Sequence, residues 1–226
     1  MSKHFERDIE NLQRGLLTMS GRVEEMVGLA NRALCERNSV LAQRVIESDA
    51  AVDEQEVRLE EECLKILALH QPVAIDLRRV ATVMKVNNDL ERIADLAVNV
   101  AQRTKCLVEE PEFPIPLKLD RMADLARTML RDSLDALVDL DESKARLICQ
   151  TDDEVDELNR QIIDELQVHM REQSVSISAA LHCFSATRHM ERIADHATNI
   201  AEDVIYLVSG EIARHKSTHL TSSVSG

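Results

Sequence analysis

One five-residue string occurs twice in this 226-residue chain: Glu91-Arg-Ile-Ala-Asp95 returns as Glu191-Arg-Ile-Ala-Asp195, an offset of 100. The same offset matches Asn99 with Asn199 and Ala101 with Ala201. Upstream, Asp49-x-x-x-Asp53-Glu54 matches Asp152-x-x-x-Asp156-Glu157 at an offset of 103, which also aligns Met26 with Met129 and Ala33-Leu34 with Ala136-Leu137. A three-residue difference at the turn before the third and sixth segments reconciles the two offsets. The chain is therefore two copies of one supersecondary unit, and whatever it folds into must contain that unit twice.

Glycine and proline show what the unit is. Glycine occurs at 15, 21, 28, 210 and 226, so none lies between Leu29 and Ser209, and three of the four prolines fall within Glu109-Glu-Pro-Glu-Phe-Pro-Ile-Pro-Leu117. That stretch is an extended linker, because each proline disfavours helix at the residue before it. Helical periodicity fills the rest. It predicts helices over about 3–37, 39–69, 72–108, 117–140, 142–171 and 174–209, with Pro72 in the first turn of the third. Asn38-Ser39 and Asp141-Glu-Ser143 supply turns and caps. The expected fold is all-α, a tandem repeat of two three-helix bundles: residues 1–108, a proline-rich linker at 109–116, and residues 117–210. The polar segment 211–226 reads as a disordered tail. With no Trp, one Tyr and three Phe, the core must be built from aliphatic residues and Met.

Charge and cysteine usage exclude several function classes. The net charge is −14, which would repel a phosphate backbone, and aromatic stacking platforms are missing, so nucleic acid is excluded as a direct partner. The five cysteines (35, 63, 106, 149 and 183) form no C-x-x-C pair and no disulfide framework. The first residues are charged and lack an apolar signal region. No apolar run approaches the ~20 residues of a membrane span. The reading is a cytoplasmic protein that reaches a membrane only through a partner.

The repeated motif places acids on one helix face. Residues four apart differ by roughly 40° around a helix, so Glu91 and Asp95 project together, as do Glu191 and Asp195. Asp49 with Asp53, and Asp152 with Asp156, have the same spacing. If antiparallel neighbours bring these pairs alongside, each bundle gathers at least four carboxylates, which must be solvated, partly protonated or neutralised by cations. Oxygen ligands suit hard cations such as Mg, Ca, Mn or Fe(III). A single Glu-x-x-x-Asp is ordinarily just the solvated face of an amphipathic helix; its duplication in register is what argues for metal. Arg92 and Arg192 are the first salt-bridge partners to consider. His189 and His196 read as surface or packing residues, and Cys183 as a small core hydrophobe.

Catalytic signatures are missing: no glycine-rich phosphate loop, no Gly-x-Ser-x-Gly, no His-Glu-x-x-His and no Glu-x-x-His. A non-enzymatic regulator is the leading reading. The alternatives are a metal-dependent phosphoester hydrolase, since paired carboxylates can hold two metals, and a metal-free helical adaptor.

Leu90-Glu-Arg-Ile-Ala-Asp95 and Met190-Glu-Arg-Ile-Ala-Asp195 resemble the repeated acidic motif of the PhoU family, regulators of bacterial phosphate-specific transport. Gln71-Pro-Val-Ala-Ile-Asp-Leu-Arg78 and Arg44-Val-Ile-Glu-Ser-Asp49 with Asp53 resemble its third-helix and second-helix segments. The likeness spans roughly residues 5–210. It departs at Ala94 and Ala194, where many relatives have Gly, and at Gln173-Ser-Val-Ser-Ile-Ser178, where the second copy lacks the Gln-Pro segment. The resemblance implies two bundles related by a pseudo-twofold axis. It also implies multinuclear iron or zinc clusters on Glu91, Asp95, Glu191 and Asp195, with Asp49, Asp53, Asp152 and Asp156 contributing. A cytoplasmic homodimer is implied as well, contacting the transporter's ATPase subunit and a sensor histidine kinase and repressing the phosphate-starvation response.

Overall fold

A computed structural model describes residues 3–111, 113–172 and 176–210; the segment read as a disordered tail, 211–226, lies outside them. Six helices make up the fold: α1 (Lys3–Cys35), α2 (Ser39–His70), α3 (Ala74–Glu109), α4 (Leu117–Asp139), α5 (Glu142–Arg171) and α6 (Ile177–Ser209). They form the expected tandem of three-helix bundles, α1–α3 and α4–α6.

Helix boundaries follow local chemistry. The Asn38 side chain accepts from the Val40 and Leu41 amides to start α2, and Asp141 accepts from Lys144 to start α5. Ser176 accepts from the Ala179 amide at the head of α6. Helix α3 begins later than expected: Pro72 precedes the N-cap Val73 instead of sitting in the first turn. The cause is Gln71, which ends α2 in the left-handed region at φ 44°, so the chain needs two further residues to turn. Arg37 and Leu140 occupy the same left-handed region at the other short turns, at φ 47° and 52°. A stretch without glycine has to accept that cost, roughly 1–2 kcal/mol per residue.

α3 and α6 form the most extensive helix pair and run antiparallel down the centre. Their direction follows from three cross-links. Lys85 Nζ donates to Asp203 Oδ1 at 2.8 Å, His196 Nδ1 lies 2.8 Å from Asp89 Oδ1, and Ser176 Oγ donates to Glu110 Oε2 at 2.8 Å. This crossing is the pseudo-twofold relation between the repeats. Both central helices consequently bury residues against neighbours on more than one side, with Leu90, Ile93, Ala97 and Val100 buried on α3, and Met190, Ile193, Ala197 and Ile200 on α6. The core is one continuous aliphatic cluster across both repeats. α1 meets α4 in a second, smaller contact between repeats. Among the described residues, no helix is long and apolar enough to cross a membrane.

Candidate metal centre

The repeated acids stand on the outward face of each central helix, opposite a second acidic helix. α2 and α3 are joined by only three residues and pack along their length, so they run antiparallel, and the Asn87 Nδ2 bond to the Glu56 carbonyl (3.0 Å) sets their register. That register sets Asp49 against Asp95 and Asp53 against Glu91. The electrostatics agree. Burial, then Asp53 and Asp95, hold the Asp49 carboxyl above its ordinary range. Burial raises Glu91 too, followed by Asp95, with Glu56 and Asp53 adding to it and Arg92 opposing.

The second repeat repeats the wall between α5 and α6. Burial, then Asp195 and Asp156, push Asp152 up to about 6. Burial raises Asp195, with Glu191 and Asp156 adding to it. Glu191 is also raised chiefly by burial, against the pull of Arg188, with Asp156 and Asp152 adding to it. All eight acids expected from the sequence therefore lie on two walls, four to each repeat.

Two further members were not foreseen. Glu56, one turn beyond Asp53, is raised by burial and by Glu60 and Asp53, and is one of the charges acting on Glu91. Its counterpart at the offset of 103 is Asn159, whose Nδ2 donates to Glu191 Oε1 at 3.4 Å. The signal was present as a polar residue three beyond Asp53 and Asp156. A search for identical residues passes over a Glu matched with an Asn.

The arginines break the symmetry. Arg92 reaches Glu91 at 3.3 Å and Asp95 at 3.5 Å while itself half exposed. In the second repeat the partner is Arg188, which donates to Glu191 Oε1 at 2.7 Å, and not Arg192. Position 88 in the first repeat is Asn, so no counterpart exists there. His196, expected as a surface or packing residue, is a bonded link between repeats, whereas Cys183 is a fully buried thiol pushed up to about 12 by burial.

The walls contain oxygens that protein atoms leave unsatisfied. Asp49 Oδ1, Asn159 Oδ1 and Glu191 Oε2 are buried and accept no hydrogen bond. Such acceptors cost roughly 1–3 kcal/mol each, and here they lie among like charges. Among the described residues, no three His, Cys, Asp or Glu side chains are already gathered as a metal-holding group. The acids supply oxygen donors, and the orphaned acceptors among them fit hard cations.

The profile of the PhoU domain matches residues 16–104 and 119–204, once per bundle. The phosphate-specific transport system accessory protein PhoU homolog of Pseudomonas putida is 40% identical over 228 residues, covering 100% of this chain and 89% of its own length. The phosphate-specific transport system accessory protein PhoU of Escherichia coli K12 is 34% identical over 215 residues, 95% of this chain and 89% of its own. The crystal structure of PhoU from Pseudomonas aeruginosa superposes with a TM-score of 0.88 at 40% identity, over 92% of this chain and 100% of that one. The phosphate transport system regulatory protein PhoU from Streptococcus pneumoniae gives 0.86 at 30% identity, over 92% and 98%.

Proposed function

The chain belongs to the PhoU family, and on that premise we propose that it is an accessory regulator of phosphate-specific transport that binds metal cations on its two acidic walls. The observation carrying the metal part is the pair of orphaned carboxylate oxygens, Asp49 Oδ1 and Glu191 Oε2, one in each wall. Asp49, Asp53, Glu56, Glu91 and Asp95 would hold cations in the first repeat. Asp152, Asp156, Glu191 and Asp195, with Asn159, would hold them in the second. A bound cation supplies positive charge where the chain has gathered negative charge. Carboxylate oxygens suit hard cations such as Mg, Ca, Mn or Fe(III), and iron or zinc is what the family resemblance implies.

The regulatory part rests on relatives whose names describe accessory and regulatory proteins. In this reading the chain works at the cytoplasmic face as a homodimer. It contacts the ATPase subunit of the phosphate transporter and a sensor histidine kinase, and it represses the starvation response when phosphate is plentiful. The test is deletion of its gene followed by measurement of a phosphate-starvation reporter in phosphate-replete medium. The reporter is expected to be derepressed and to be silenced again by the restored gene. A reporter that stays silent in the deletion strain would contradict the reading.

A further inference from the structure

The α3–α6 seam pairs its basic side chains with carboxylates around Lys85 and not around Arg103. Around Lys85 the pairs are made: Lys85 meets Asp203 at 2.8 Å and His196 meets Asp89 at 2.8 Å. The offset of 100 carries these positions to the far end: Lys85 becomes Ser185, Asp203 becomes Arg103, and Asp89 becomes His189. The register that gives Lys85 a carboxylate therefore sets a hydroxyl opposite Arg103. Arg103 Nε and His189 Nδ1 are both buried and lack any hydrogen-bond partner. His189 Nε2 lies 3.4 Å from Ser185 Oγ. The charges acting on this imidazole are those of Arg192 and Arg103, and no carboxylate is among them. The chain carries 41 acids against 27 bases, so a buried imidazole whose charged neighbours are both arginines is unexpected. A buried donor without an acceptor, as Arg103 Nε is, is rare and calls for a partner. A guanidinium fork matches the oxygens of a tetrahedral anion.

We propose that this end of the seam binds a small tetrahedral oxyanion of the phosphate class, held by Arg103 and Arg192 with the Ser185 hydroxyl and the His189 ring. The anion would do between Arg103 and its neighbours what Asp203 does for Lys85. Because α3 and α6 belong to different repeats, its binding ties the repeats together. The site uses none of the acidic-wall residues and does not rest on the metal reading.

The test is calorimetry and thermal unfolding of the full chain with inorganic phosphate, against chloride at matched ionic strength. It is run on protein as purified and again after chelation. The parent is expected to bind phosphate and to melt higher in it than in chloride, equally before and after chelation. Ser185→Asp supplies the missing carboxylate, so it should weaken phosphate binding roughly tenfold or more without lowering the phosphate-free melting temperature. Arg103→Gln should weaken binding similarly, and it decides the question if Ser185→Asp does not fold. Metal content should be unchanged in both variants. Phosphate heats no larger than those of chloride, binding that survives both substitutions, or binding abolished by chelation would each overturn the proposal, the last by placing the anion on a metal.

Discussion

Asp152 carries the cost of acid crowding most visibly. Burial and its two aspartate neighbours raise its carboxyl from 3.8 to about 6. A value higher in the folded than in the unfolded state means that the native protein holds the extra proton between those limits. Its stabilising contribution is fully present at the acid end and lost as pH rises through 6. After discounting for solvent screening, the penalty at neutral pH is about 1–2 kcal/mol. Asp152→Asn should therefore stabilise the metal-free protein at pH 7 by that amount and leave it little changed at pH 4. Urea unfolding at both pH values measures it, and a parent–variant difference independent of pH would be the contrary result. The two glutamates of the repeated motif should behave differently from each other. Glu91→Gln gives up only the half-exposed contact with Arg92, worth little, and should raise metal-free stability by about 0.2–0.5 kcal/mol. Glu191→Gln also gives up the 2.7 Å bond from Arg188 and should come out near neutral. Equal gains in the two repeats would show that Arg188 contributes nothing. The eight acids were legible because helical spacing and duplication mark them. Arg188, Glu56 and Asn159 were not, because each differs from its counterpart in the other repeat.

Helices and caps were legible for a related reason: Asn38 and Asp141 act locally, through amides two or three residues on. What local chemistry could not reveal is how turns are held from a distance. Arg37, strained at φ 47°, sends its guanidinium to the end of α3. There it donates to the carbonyls of Leu107 at 2.5 Å, Glu110 at 2.7 Å and Pro111 at 3.2 Å. One side chain thereby caps α3, anchors the start of the linker and fixes the α1–α2 turn. No sequence rule joins residue 37 to residue 110. Arg37→Ala should cost roughly 1–3 kcal/mol and speed amide exchange selectively over Thr104–Glu109. Unchanged exchange in that last turn would mean that the carbonyls are satisfied by water. The late start of α3 has the same kind of cause, a left-handed Gln71 where a glycine would have signalled the break.

At the scale of the molecule, the repeat disclosed two bundles but not the seam between them. Periodicity assigns Leu90 or Met190 to a core without saying whose, and the antiparallel α3–α6 crossing makes it a shared one. A pair of fragments divided at the linker, 1–110 and 117–226, should accordingly recombine one to one. Two copies of the first would set Lys85 against Arg103 across the same crossing, a like-charge pairing that disfavours the homodimer. Sedimentation of each fragment and of the mixture reads this directly, and fragments that stay apart when mixed would contradict a common core. The acidic walls lie on the outer flanks of that crossing, one per repeat, which makes their occupancy countable. Binding to the native state alone raises stability by about 2.7 kcal/mol at a hundredfold excess over Kd, so removing metal should lower the unfolding midpoint of the parent. The most direct measurement is elemental analysis of the full chain purified without chelator, alongside Glu91→Gln/Asp95→Asn and Glu191→Gln/Asp195→Asn. Cations on both walls predict bound metal in the parent and loss of one wall's share in each double variant with the helical fold intact. Parent protein free of metal, or metal content that neither double variant changes, would contradict it.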